Sequence, residues 1–377
     1  MADMNNHKHI VFSADHYNVL GLVRSLGEVG IRPIAIIVES RPVVMVNNSK
    51  YIGRVHLVKT KEEGLDLLLK EYGKESYKPF LYTCADDIES LVDLNYDKLI
   101  NHFYFFDGGS KGHITSIMPK KVLCDLAVSC GIDIPKTEIV KVGEFPRGLR
   151  YPIMTKSTIS TIENWKGNVY ICHNEDELKD AYDLIHEDTI MLQEFIEKEN
   201  ELCLDGLSIN GGDEVYLPLQ CKYLGMTDMS YGTYMVFEKY AEMKLLPKIK
   251  ALMKKTCFTG IFSMEFLIDK KGNFYFLEIN FRHSTWGYAY TYAGMNLPLI
   301  YAQSVLAGHL VLDSVKEKKI PFTAMVEFTH FKDFVVGRRE SIFKFIKEVK
   351  NTDCYYYWNK KDNKPFWRVF LQKAHLA

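Results

Sequence analysis

Between residues 9 and 83 short apolar runs alternate with stretches whose apolar positions recur every three or four residues. His9 to Phe12, Pro33 to Val38 and Phe80 to Thr83 read as strands, while Asn18 to Val29 and Glu62 to Tyr72 carry the helical period. Strand and helix in turn need crossover connections, so this region is predicted to be a parallel sheet. The loop from Ser13 to Asn18 follows the carboxyl end of the first strand, where open α/β sheets take ligands. It lacks G-x-G-x-x-G, which argues against a dinucleotide site.

The pattern changes near Met118. A helix over Lys120 to Ser129 is stopped by Gly131 and Pro135, short strands follow, and Asn174 caps a helix predicted over Glu175 to His186. Residues 191–280 are mainly strand-like with one long helix near 243–257, and a helix returns over Asn296 to Ala307. The boundaries fall at 1–115, 116–198, 199–325 and 326–377.

Two β-rich runs, Gly260 to Ile268 and Phe274 to Arg282, flank the turn signal Asp269-Lys270-Lys271-Gly272-Asn273. A hairpin symmetric about Lys271 and Gly272 sets Glu265 opposite Glu278. Like charges across a strand pair are destabilising unless a positive group lies between them. Period-two alternation puts Glu278, Asn280 and Arg282 on one face and Leu277, Ile279 and Phe281 on the other. Two carboxylates and an amide oxygen at this spacing suit Mg²⁺, and Arg282 is placed to stabilise a transferring phosphoryl group or a tetrahedral intermediate. The plainer alternative is a solvated hairpin face.

The composition is that of an ordinary globular chain of 377 residues, 47% hydrophobic, with a net charge of −1. A globally basic nucleic-acid binder is excluded. No segment approaches the roughly 18 apolar residues of a membrane span, and the opening residues lead into a strand rather than a signal-peptide core, so a cytoplasmic location is expected. The 8 cysteines form no C-x-x-C pair and are expected to be free thiols, holding neither zinc nor disulfides. Residues 332–377 carry 11 Lys/Arg against 5 Asp/Glu, with Tyr355 to Trp358 and Phe366-Trp367 interleaved. This tail reads as an aromatic cap on the core, with a surface for single-stranded nucleic acid or a membrane as the alternative.

Glu265 followed 13 residues later by Glu278-x-Asn280-x-Arg282 resembles the metal-binding end of the ATP-grasp superfamily. The resemblance runs over roughly residues 9–310 and implies a parallel-sheet domain followed by two α+β subdomains that clamp ATP. It implies nucleotide-phosphate contacts at Lys120, with Lys121 competing, and at Lys156, which ends the Y-P-V-x-x-K-like segment Tyr151 to Lys156. Glu194, Phe195 and Ile196 are similar to the segment that reads adenine, and Glu201, 7 residues beyond Glu194, to the ribose carboxylate. Glu265, Glu278 and Asn280 become metal ligands for Mg²⁺, with Mn²⁺ as an alternative, and Arg282 and Lys222 act on the transferred phosphate. His16, Asn18, Asp86, His283 and Ser284 border the substrate cleft. Between Ser157 and Gly167 the family's glycines are missing, and Ser157, Thr158, Ser160 and Thr161 stand in as hydroxyl donors.

What the resemblance implies is a ligase that converts a carboxylate to an acylphosphate with MgATP and couples it to an amine or ammonia. The stretch Ala293 to Pro298, the length and the aromatic tail most resemble the D-aspartate ligase group, beside carbamoyl phosphate synthase large chains. Small-molecule carboxylate and amine partners are expected, no nucleic acid is, and a homodimer is left open. A module that binds ATP without turnover is the competing reading, favoured by the glycine-poor loop.

Overall fold

The structure is a computed structural model that describes residues 4–39, 45–158, 168–227 and 230–375. Its first unit is a four-stranded parallel sheet in the order Arg54–Val58, Ile34–Val38, His9–Ala14, Phe80–Thr83. Both faces are covered. Val11, Ala35, Ile37 and Tyr82 pack towards the helix Tyr17–Gly27, and Ile10, Phe12, Ile36 and Leu81 towards Lys61–Tyr72 and Asp86–Leu94. The strand Arg54–Val58 is not among those predicted: it lies at the sheet edge, and its partly exposed positions dilute the apolar signal.

The second unit is a four-stranded sheet ordered Thr137–Lys141, Thr189–Glu194, Ile153–Lys156, Ile171–Cys172, all antiparallel. The helix Glu175–Tyr182 packs on it and starts as predicted, with the Asn174 side chain accepting from Glu177 N at 2.9 Å. It ends four residues before His186.

The third unit is an eight-stranded sheet built on the long strands Lys198–Ile209 and Gly260–Asp269, with Phe274–Asn280 at one edge. On the other side follow Leu219–Thr227, Ser230–Lys239, Phe322–Met325 and Cys354–Tyr355, while Glu214–Tyr216 pairs with Lys198–Ile209. The helices Gly287–Tyr292 and Leu297–Ala307 lie between this sheet and Tyr17–Gly27, so that a single core spans the first and third units. A Cβ on Gly21 would sit 3.0 Å from Tyr288 Cβ, which is why a side chain is missing where these helices meet. Asn296 caps the second helix rather than opening it, its side chain accepting from Leu299 N at 3.2 Å.

The C-terminal segment is tied to the first unit. Arg24 and Asp362 form a buried ion pair at 3.0 Å, and Arg24 also donates to the carbonyls of Tyr356, Tyr357 and Asp362. Asp362 accepts in turn from Ser49 Oγ and Lys50 N, both at 2.8 Å. Glu327 gathers the N–H groups of Tyr356, Tyr357 and Trp358. Among the described residues no helix is long and apolar enough to cross a membrane, and all 8 cysteines are free thiols.

Candidate active site

The hairpin supplies the centre of the site. Glu265 and Glu278 are direct partners, as the turn signal predicts, but the register is not symmetric throughout. Ile268 pairs with Phe274 and Phe266 with Phe276, so the turn closes one residue earlier than expected and a bulge at Leu277 restores the carboxylate pair. Across the adjacent strand Glu265 also pairs with Cys203, Ser263 with Asp205, and Leu267 with Glu201. Ligand atoms of Glu201, Cys203 and Glu265 all lie within 4.8 Å of one another. Burial, then the charges of Glu278 and Glu201, push the Glu265 carboxyl well above the usual carboxylate range. The two carboxylates of this group, held together against their own repulsion, are what a divalent cation requires, while burial keeps the Cys203 thiol protonated.

Arg282 projects from the end of the hairpin and is fixed twice. It donates to Asp86 through Nε at 2.9 Å and Nη2 at 3.2 Å, and through Nη2 to Asn280 Oδ1 at 3.1 Å. Asn280 Nδ2 in turn contacts Glu278 Oε1 at 3.3 Å. The amide therefore bridges the arginine and the acid, with its oxygen facing the guanidinium. This modifies the sequence reading, in which that oxygen faces a metal. Asp86 opens the helix after strand Phe80–Thr83, and Asn18 reaches the same loop by donating to Cys84 O at 2.9 Å. His16 caps the helix that carries Asn18.

The loop beyond Arg282 is supported from beneath. His283 and Ser284 are buried, and His283 N donates to Thr83 O at 3.1 Å. Burial, with Arg282 beside it, lowers the His283 imidazole to about 3. Its ring lies where a Cβ on Gly287 would be, 2.4 Å from Nε2. The Ser284 hydroxyl donates to Asp205 and accepts from Trp286 N. Both residues brace the loop, and with Asn18 also buried the accessible groups of the expected cleft are His16 and Asp86, beside Arg282. Asp205 escapes the sequence reading although alternation places it on the face of Cys203 and Glu265; burial raises its carboxyl to about 6 against the opposing bonds from Ser284 and Ser263.

The second sheet brings Lys156 towards these acids, and the helix Lys120–Ser129 brings Lys120. Lys156 is partly buried and donates to Gln193 Oε1 at 2.7 Å; burial, then the neighbouring Lys120 charge, lower its ammonium to about 8, opposed by Glu278 and Glu201. Lys121, the alternative to Lys120, is paired with Asp125 at 2.8 Å. Glu201 is held by Lys198 at 2.7 Å. The N–H groups of Glu194 and Phe195 donate to Lys136 O and Pro152 O, at 2.8 and 2.9 Å, so neither is open as a donor to a base. The Glu194 carboxylate accepts from Arg150 N at 3.1 Å. Ile196 follows directly in the connection between the two sheets. Ser157 donates to Glu187 at 3.2 Å, whereas Ser160 and Thr161 lie outside the described residues. Gln193 and Lys198, the partners of Lys156 and Glu201, carry no motif signal in the sequence.

Lys222 is the predicted residue that the sheet turns away. It pairs with Leu202, while its neighbour Cys221 pairs with Cys203. Since Cys203 shares a face with Glu265, alternation directs Lys222 to the opposite face. A strand's facing depends on its partner strand, which the local sequence does not specify.

Two antiparallel-rich sheets, one bringing Lys156 and the other the paired acids, beside a parallel-sheet domain define the class of fold. The same architecture is found in N5-carboxyaminoimidazole synthetase from Staphylococcus aureus complexed with ADP, with a TM-score of 0.68 over 92% of this chain and 88% of that one at 14% identity. L-amino acid ligase from Bacillus licheniformis matches with a TM-score of 0.65 over 84% of this chain and 78% of that one at 13% identity. The ATP-grasp fold expected from the sequence is the fold these structures share. In sequence the chain is 24% identical over 131 residues to N5-carboxyaminoimidazole ribonucleotide synthase from Staphylococcus epidermidis, 35% of this chain and 34% of that protein. The match thus spans about a third of the length of the curated relative. No family model matches the chain.

Proposed function

We propose that this protein is an ATP-dependent ligase that activates a carboxylate as an acylphosphate and joins it to an amine or ammonia, releasing ADP and phosphate. The observation that carries this reading is the facing pair Glu265 and Glu278, held opposite Lys156. The donor set fits Mg²⁺, with Mn²⁺ as an alternative, because carboxylates dominate it; Glu265 and Glu278 would hold the ion. When bound, that ion supplies charge neutralisation at the nucleotide's terminal phosphates.

In the first step a carboxylate oxygen of the substrate attacks the γ-phosphorus, the bond to the β-phosphate oxygen breaks and ADP leaves. Lys156 and Lys120 neutralise phosphate oxygens, and Glu201, held by Lys198, meets the ribose hydroxyls. In the second step the amine nitrogen attacks the acyl carbon, loses its proton to solvent, and phosphate departs. Arg282 faces the oxyanion of that step in an orientation set by Asp86 and Asn280. Catalysis of this kind consists of positioning and charge stabilisation, so no nucleophilic side chain is required.

For the substrate, two readings each have an observation behind them. An amino-acid ligase of the D-aspartate ligase type is favoured by Ala293 to Pro298 and by the fold likeness to an L-amino acid ligase. Carboxylation of an aminoimidazole ribonucleotide is favoured by the 131-residue match. ADP release with MgATP, screened over D- and L-amino acids and over bicarbonate with aminoimidazole ribonucleotide, separates them. Release that requires both a carboxylate and an amine supports the proposal. ATP binding with no release under any pairing would mean a nucleotide-binding module instead.

A further inference from the structure

A second cluster of ligand-type side chains lies away from the nucleotide clamp. His330 ends the helix Glu327–His330, Glu340 stands in the loop between the helical turn Phe331–Val336 and the helix Ile342–Lys350, and Glu348 is on that last helix. One ligand atom of each lies within 4.8 Å of the others. His330 Nε2 is 3.0 Å from Glu348 Oε2 and 4.0 Å from Glu340 Oε2. The His330 and Glu340 side chains are 0% and 7% exposed.

The other edges of the cluster are already engaged. His330 Nδ1 is 2.9 Å from Thr233 Oγ1 on the strand Ser230–Lys239. His330 Nε2 is hydrogen-bonded to Glu348 Oε2 at 3.0 Å; in the tautomer whose Nδ1–H donates to the Thr233 hydroxyl, Nε2 carries no proton and offers its lone pair to a cation in place of that bond. Lys344 Nζ holds the outer carboxylate oxygens, at 2.6 Å from Glu340 Oε1 and 3.7 Å from Glu348 Oε1. The inner oxygens face the imidazole, and Glu340 Oε2 is buried there without a hydrogen bond. Phe334, Phe345 and Tyr234 pack around the ring with centroids 4.6, 5.8 and 5.7 Å away. Three electron-pair donors thus converge in a largely aromatic shell, with Lys344 on its outer side.

We propose that His330, Glu340 and Glu348 bind a Zn²⁺ ion that ties the helix Ile342–Lys350 and the loop before it to His330, which itself rests on Thr233 of strand Ser230–Lys239. One imidazole nitrogen and two carboxylate oxygens occupy three corners of a tetrahedron, and water takes the fourth. Ligand bonds of about 2.0–2.2 Å put tetrahedral corners roughly 3.3–3.6 Å apart, a spacing that the 3.0 and 4.0 Å separations bracket. The imidazole favours zinc over magnesium, which prefers an all-oxygen shell. The carboxylates and thiol near Glu265 are a separate cluster, so the two sites are tested independently.

The test uses the full-length protein, stripped with a chelator and carrying Glu265→Gln and Glu278→Gln to remove the competing carboxylates. Titration with ZnCl₂ against a chromophoric chelator, with metal content measured by mass spectrometry, is expected to show one equivalent bound and a raised Tm. Adding His330→Gln, or separately the milder Glu340→Gln, is expected to weaken binding at least about 100-fold with an unchanged circular dichroism spectrum. Failure of this parent protein, intact at His330, Glu340 and Glu348, to bind zinc at micromolar concentration overturns the proposal whatever the further variants do. So does undiminished binding in both variants. If the cluster takes up a proton instead of zinc, it is an imidazolium ion-paired to two carboxylates and the proposal is wrong.

Discussion

Arg282 and Asp86, 196 positions apart, are joined by two hydrogen bonds of 2.9 and 3.2 Å. The contact ties the acid-bearing hairpin to the loop at the carboxyl end of the parallel sheet, so the arginine is aimed before substrate arrives. Asp86→Asn keeps the shape and removes the charge-assisted fork, worth about 1.5–3 kcal/mol. The expected outcome is a fall of roughly 10–100-fold in kcat/KM for the carboxylate–amine pair. ATP affinity, measured by calorimetry, should stay within about 2-fold, since the nucleotide contacts proposed above are at Lys120, Lys156 and Glu201.

Lys222 faces away from Glu265 and Glu278. Lys222→Ala should therefore change kcat by less than about 3-fold, whereas Lys156→Ala should lower kcat/KM for ATP by at least about 100-fold. Steady-state ADP release distinguishes the two.

Lys156 predicts a pH dependence of definite sign. Its ammonium is lowered from 10.5 to about 8 by burial and then by Lys120. Between those values the unfolded chain holds a proton that the folded chain has lost, so stability of the nucleotide-free protein rises with pH across this window. ATP affinity has the opposite slope, falling above about pH 8 as the cation is lost. Lys156→Arg stays charged and should flatten the upper limb of the affinity profile, measured by nucleotide titration from pH 7 to 10.

The parallel domain is legible in sequence because its inner strands are covered on both faces and its helices are strongly periodic. The edge strand Arg54–Val58 is not, since half-exposed positions carry no such pattern. Glu265 opposite Glu278 is legible because both acids interrupt apolar alternation at matched distances from a turn. The bulge at Leu277 has no side-chain signature, and it corrects a register that would otherwise miss. The facing of Lys222, the support that Asp205 gives through Ser284, and the Lys156–Gln193 bond all depend on which strands become neighbours. Those pairings are long-range and unwritten in any local window.

Arg24 and Asp362 form an ion pair whose side chains are 0% and 1% exposed. Arg24→Ala leaves a buried carboxylate unpaired and should destabilise the protein by about 3–5 kcal/mol. The double variant Arg24→Met/Asp362→Leu should recover part of that loss, as chemical denaturation will show. Equal instability of single and double variants would mean that the carbonyls Arg24 serves at Tyr356 and Tyr357 matter more than its charge.

The most direct test of the proposed activity is substrate-dependent ADP release at saturating MgATP, compared among wild type, Glu265→Gln and Glu278→Gln. Each substitution should cut turnover at least about 100-fold. Glu265→Gln should also raise the metal-free Tm by roughly 1–3 °C, because it relieves repulsion that binding would otherwise offset. Turnover at the wild-type rate in either variant would contradict the assignment of this acid pair to the reaction.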